Sequence, residues 1–213
     1  MKKMALVLAA VLASGMVLTA CGGSGNAAKE TTGNNTSTTT TTTGGLDLAV
    51  QVGPDPETVD PALNTAIDAS NIILHAFETL LTFDENNDIV PGQAESFDVS
   101  DDGLTYTFHL RDGLKWSDGE DVKAGDYVYG IQRLMDPEMA SDYAFIGYIL
   151  KNGAEVNSGS VPVDELGVSA PDDKTVVIEL AHPATYFLSM AAMATFGPTR
   201  KDYVEKIRKR ICS

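Results

Sequence analysis

Asp84-x-Asn86-x-Asp88 followed by Glu95 sets oxygen donors at positions 1, 3, 5 and 12 of a calcium-loop spacing. Such a loop needs glycine at position 6 for its sharp turn; here that residue is Ile89, and Pro91 intrudes at position 8. Asp98-x-Ser100-x-Asp102-Gly103 starts the same way, but His109 stands at its twelfth position and no carboxylate closes it. Both stretches therefore read as polar turns, in which Asp and Asn side chains bond nearby backbone. His75, His109 and His182 fall in a helical pattern, a strand pattern and a loop before proline, with no pair at metal-ligand spacing. There is no Gly-x-Ser-x-Gly, no His-Glu-x-x-His, no phosphate loop and no dinucleotide fingerprint. These absences predict a chain that is not an enzyme and that takes no cofactor and no metal.

The elements that carry these residues follow from hydrophobic period. Thr105 to Leu110 alternates, with Tyr106, Phe108 and Leu110 on one face and Thr105, Thr107 and His109 on the other, as in a half-buried strand. Ser96 to Val99 is a short extended run, and Ser100 to Gly103 turns the chain between the two. The spacing predicts a helix over 68–80, where Ile72, Ile73, Ala76, Phe77 and Leu80 share a face. Further helices are expected over 124–135, stopped by Asp136-Pro137, over 141–152, and over 184–194. Leu48, Val50 and Val52 alternate as a strand; Leu80 to Phe83 pairs with Ile89-Val90; Leu166 to Ser169 and Thr175 to Leu180 form a hairpin. The sum is an α+β fold with mainly antiparallel hairpins and flanking helices.

Charge narrows the class of partner. The chain carries 30 acidic and 15 basic residues, for a formal net charge of −15. Between Leu46 and Thr199 there are 27 acidic against 6 basic residues, whereas Arg200 to Ser213 is basic. Such an acidic body argues against nucleic acid and against direct binding to anionic lipid.

The first twenty residues are a targeting segment. Lys2 and Lys3 precede an apolar run from Met4 to Val17, too short to span a bilayer, and Leu18-Thr19-Ala20-Cys21 follows. This end resembles a bacterial lipobox, in which the thiol of Cys21 would be diacylated and become the new N-terminus. Two or three acyl chains, at roughly 0.8 kcal/mol per buried methylene, hold a protein durably at a membrane. Residues 21–45 are Gly-, Asn- and Thr-rich with little to bury, and read as a disordered tether of about 25–30 Å reach. Only Cys21 and Cys212 are present, so no intramolecular disulfide framework is expected.

Ala94 to Gly119, running through AESFDVSDDGLTYTFHLRDGLKWSDG, closely resembles the signature block of extracellular solute-binding proteins of the oligopeptide/dipeptide type, the capture components of ABC importers. Thr58-Val59-Asp60-Pro61, Phe77-Glu78-Thr79-Leu80-Leu81, Asp126-Tyr127-Val128-Tyr129, Ala140-Ser141-Asp142-Tyr143-Ala144 and Pro183-Ala184-Thr185-Tyr186-Phe187 extend the likeness from about Asp47 to about Glu205. The resemblance implies the N-terminal portion of a two-lobed, periplasmic-binding-protein-like clamp. Residues 46–79 would begin the first lobe, 80–183 would form an accessory α+β domain, and 184–213 would return to the first lobe. The basic end after Lys206 departs from the family pattern and is read as truncated or frame-shifted.

The resemblance also implies ligand contacts at Thr65, Ala66 and Ile67, whose backbone would pair with an extended oligopeptide, and at Tyr143 on the edge of the cleft. Partners would be the oligopeptide and ABC permease subunits, with the membrane reached through the lipid anchor alone and the protein a monomer outside the cytoplasmic membrane. Another solute in the same family, such as a nickel chelate, haem or an oligosaccharide, is the alternative. A surface lipoprotein acting in adhesion or sensing is an alternative from a different class.

Overall fold

A computed structural model describes residues 49–51 and 53–211. The alternating run becomes β4 (Thr105–Leu110), flanked by β3 (Ala94–Val99) on one side and β6 (Thr175–Glu179) on the other, with β5 (Val168–Asp172) beyond. These four strands make one antiparallel sheet in the order β3-β4-β6-β5. Phe108 lies opposite Phe97 and Val176, and Tyr106 opposite Val99 and Ile178. Directly opposed residues share a sheet face, so Tyr106, Phe108, Leu110, Val176 and Ile178 form one buried apolar layer. Gly103, at φ 68°, closes the β3–β4 turn in the left-handed region that glycine adopts at no steric cost.

Helix α2 (Ala124–Met135) covers that layer. Ala124, Tyr127, Ile131 and Leu134 recur at three- and four-residue spacing and are all fully buried. The Asp126 carboxylate accepts the Lys123 N–H at 3.0 Å and the indole N–H of Trp116 at 3.1 Å, tying the first turn to the loop before it. Asp136 is extended, as the residue before Pro137 must be, and the helix ends there. Gly130 has no Cβ because the carbonyl of Gly197 occupies that space. This close approach lets the Thr199 N–H reach the Asp126 carbonyl at 2.9 Å and seats α5 (Lys201–Ile211) beside α2.

A smaller sheet pairs β1 (Leu81–Phe83) with β2 (Ile89–Pro91). Between them, the Asp84 carboxylate accepts the N–H groups of Asn86 at 2.8 Å and Asp88 at 2.9 Å. The residues with calcium-loop spacing thus form a backbone turn. Asp102 plays the same part in the β3–β4 turn, accepting the Leu104 N–H at 3.0 Å.

Four expectations change. Residues 49–51 join no strand, and Val50 is 66% exposed; among the described residues nothing offers them a ladder. Helix α1 (Ile67–Ala76) stops before Leu80, whose carbonyl accepts the N–H groups of Gly92 and Ala94 at the edge of the strands that follow. The helix expected over 141–152 is instead a 3₁₀ segment, Ala144–Ile149, followed by the short α3 (Gly153–Asn157). Gly147 lies under the Met135 sulfur, Leu150 bridges to Leu180, and Asn152 turns left-handed at φ 61°. The helix expected over 184–194 contracts to α4 (Phe187–Ala191), because Met193 is extended and lets Phe196 swing into the core against Phe187. The hairpin expected from Leu166 pairs as β5 and β6, with a register irregularity between Ser169 and Asp172.

Cys21, residues 1–48, Val52 and Cys212 lie outside the described residues. Among those described, no helix is long and apolar enough to cross a membrane.

Candidate functional site

The loop before α1 is held by a side chain that the sequence reading passed over. Asn64 is buried; its Oδ1 accepts the Ala66 N–H at 3.0 Å, and its Nδ2 donates to the Ala66 carbonyl at 3.1 Å and to Ser70 Oγ at 2.8 Å. One turn earlier, Asp60 accepts the Ala62 N–H through its carboxylate and the Leu63 and Asn64 N–H groups through its carbonyl. Arg133 of α2 grips the Asp60 carboxylate with both terminal nitrogens, at 3.1 and 2.7 Å. The backbone from Asp60 to Ile67 is thereby fixed while Thr65, Ala66 and Ile67 remain exposed, Ile67 to 82%. The Thr65 backbone makes no hydrogen bond among the described residues.

Tyr143 stands across from this loop. Ser141, also buried, donates its hydroxyl to the Ala62 carbonyl at 2.6 Å and accepts the Tyr143 N–H at 3.2 Å. One hydroxyl therefore sets the Tyr143 segment against the 60–67 loop. Thr79 does similar work at the floor, donating toward the carbonyls of Leu81 and Ala192. Thr65, Ala66, Ile67 and Tyr143 line a single groove of about 520 Å³, with Leu74, Phe83 and Met193 among its apolar walls.

Glu78 is the one carboxylate on that lining, and Arg111 holds it at 2.6 Å. Beneath it the Tyr127 hydroxyl donates to Gln93 Oε1 at 2.8 Å. Burial, reinforced by the Glu78 charge, pushes the Tyr127 phenol well above its ordinary pKa, so it stays a neutral donor.

The groove offers the unbonded Thr65 backbone, apolar walls and one ion-paired carboxylate. The histidines lie apart from one another: His75 meets the Asn71 carbonyl, His109 meets Asp98, and His182 belongs to a different surface. A second cavity of about 500 Å³ has Trp116, Phe77 and Tyr203 as walls, but its cations are matched internally, Arg133 by Asp60 and Arg200 by Asp118 and Asp202.

The chain is thus an α+β body with an apolar groove bounded by a hydrogen-bonded loop. Residues 88–211, more than half of the chain, match the model of bacterial extracellular solute-binding proteins, family 5 Middle, and the chain belongs to this family. It is similar to the probable deoxycholate-binding periplasmic protein YgiS of Escherichia coli, at 39% identity over 71% of this chain and 29% of that protein. It is similar as well to the oligopeptide-binding protein OppA of Bacillus subtilis, at 32% identity over 98% of this chain and 37% of the relative. Among solved structures, the substrate-binding domain of an oligopeptide ABC transporter from Bacillus anthracis superposes with a TM-score of 0.69 and 41% identity, covering 70% of this chain and 29% of that one. The chain spans about a third of the length of these relatives. They are named for binding solutes and not for catalysis.

Proposed function

We propose that this chain takes part in capturing extracellular oligopeptides for an ABC importer. The observation that carries the reading is the unbonded Thr65 backbone, in a loop fixed by Asn64 and Asp60 and facing Tyr143 across an apolar groove. An extended peptide laid along it would pair with the Thr65 N–H and carbonyl, which stay unbonded while Asn64 takes those of Ala66, and its side chains would meet walls that tolerate variety. Family membership and the oligopeptide-binding relatives support the same ligand.

In this reading residues 46–79 and 184–213 belong to one lobe of a hinged clamp, and 80–183 to an accessory domain beside it. Closure over the peptide would create the form that docks on the permease. A lipid on Cys21, with residues 21–45 as tether, would keep the monomer at the outer face of the cytoplasmic membrane. The apolar lining from Ile67, Leu74 and Phe83 also favours a second ligand class, an amphipathic solute such as the deoxycholate for which one relative is named.

Isothermal titration calorimetry of the full chain with an alanine tripeptide and its backbone N-methylated analogue tests the proposal. Each lost main-chain hydrogen bond is worth about 1 kcal/mol, so the analogue should bind at least ~5-fold more weakly. Equal binding of the two peptides, or binding of deoxycholate alone, would overturn the peptide reading.

A further inference from the structure

A second, shallower surface adjoins the ligand groove. Tyr143 and Met193 line both. Beyond them Phe145, Tyr148, Tyr186 and Met190 surround a depression of about 520 Å³. Phe145 is 58% exposed, Tyr186 57% and Tyr148 45%. Large aromatic side chains left this open in one place mark a surface built to be covered. Phe145 packs edge-on against Tyr143 at 5.3 Å between ring centroids, which fixes the ring's pose without burying it. The Tyr148 hydroxyl bonds the Asn157 side chain at 2.9 Å, so that ring too is held by its rim and offers its face. Met190 and Met193 supply flexible thioethers that fit apolar groups of varied shape.

Charge singles out the same place. The chain carries 30 carboxylates, yet none of them lines this depression. Among its lining residues the ionisable ones are tyrosines and His182. A patch free of carboxylates on so acidic a protein does not repel an apolar or anionic chain end, and it removes no charge from water when covered.

Resting on the peptide reading above, we propose that a bound peptide runs out of the first groove past Tyr143 and lays an apolar or aromatic residue on the Phe145–Tyr148–Tyr186 surface. The occupant follows from continuity, because the two surfaces share Tyr143 and Met193 and a chain paired at Thr65 in the first groove has its neighbouring residues within reach. The protein would then favour peptides longer than the backbone-paired segment, carrying a bulky apolar residue toward one end.

The test is calorimetric titration of the full chain and of its Tyr186→Ser and Tyr148→Ser variants. The probes are an alanine tripeptide and alanine pentapeptides that carry phenylalanine or aspartate at the first or last position. At one end, phenylalanine should tighten binding about 10-fold over aspartate, the effect of burying one ring. Both variants should reduce that gain to about 2-fold while leaving the tripeptide Kd unchanged, which also shows that they fold. Tripeptide binding with no preference at either end overturns this inference alone, as does a preference that survives both substitutions. Failure of every peptide to bind overturns the capture reading itself and removes the basis of this one.

Discussion

The sheet with α2 and the rim around the grooves solve opposite problems with the same residue types. In the first region Phe108, Tyr127, Ile131, Val176 and Ile178 are sealed between two layers. In the second, Ile67, Phe83, Phe145, Tyr186 and Tyr203 stay exposed. The rim is held by polar locks instead: Asn64 on its own loop, Ser141 on Ala62, Thr79 on Ala192, and Arg133 on Asp60. A segment fixed by hydrogen bonds does not need its apolar side chains for folding, and these remain available to a ligand. The body is therefore where truncation of a side chain should destroy the fold, and the rim is where it should alter binding.

Phe108→Ala should break the body outright. Its ring lies between Tyr106 and Phe97 and is fully buried, and truncation of such a residue costs about 4 kcal/mol. Tyr186→Ser, on the exposed surface, should change stability by less than ~0.5 kcal/mol. Urea denaturation midpoints of the two variants measure the contrast. Comparable losses in both would mean that the rim is part of the core and that the division drawn above is wrong.

The polar locks are tested next by Asp60→Asn. Arg133 is buried, its Nε has no hydrogen-bond partner among the described residues, and Asp60 supplies the compensating charge. Removing that charge leaves a guanidinium in a poor environment; with Asp60 itself partly exposed, the cost should be about 2–3 kcal/mol, below the ~3–5 of a fully buried pair. The loss should be local as well as global, with faster amide exchange at Leu63 and Asn64, which donate to the Asp60 carbonyl. An unchanged exchange pattern would show that the loop before α1 is held by something other than this pair.

How legible each region was in the sequence follows from the same division. β4 runs over Thr105–Leu110 and α2 over Ala124–Met135, the spans that their periods predicted, because a one-sided apolar stripe specifies both element and buried face. The segment over 184–194 is rich in Ala and Met, and that over 141–152 is crowded with aromatic and aliphatic residues from Tyr143 to Leu150, so neither carries such a stripe. Their conformation is decided from outside, by Met135 above Gly147 and the Leu150–Leu180 bridge in the first, and by the packing of Phe196 on Phe187 in the second. At the groove, Thr65, Ala66, Ile67 and Tyr143 were reached through family resemblance, not through period or motif. Asn64 and Ser141, which hold them, were missed for a physical reason. Asn and Ser are ordinary loop residues, and nothing local announces a hydroxyl that bonds a carbonyl 79 positions away.

The smallest expected effect concerns the turns that close the body's hairpins. The Ser100 hydroxyl first, and then the Leu104 N–H, hold the Asp102 carboxyl below the ordinary carboxylate range near ~3.9. A depressed folded pKa means stability that is present above the unfolded value and lost as pH falls through the folded one. Whole-protein titration obscures this, because protonating carboxylates on a chain of net charge −15 also relieves self-repulsion and acts in the opposite direction. Comparing the chain with its Asp102→Asn variant nearly cancels the common repulsion. The amide still accepts a backbone N–H but cannot titrate. The variant should melt slightly lower at pH 7, and the gap should hold to about pH 5 and close as pH falls below ~4. A gap that stays constant down to pH 2.5, measured by circular dichroism melting, would mean that the turn carboxylate contributes geometry alone and that the body owes its pH dependence to other groups.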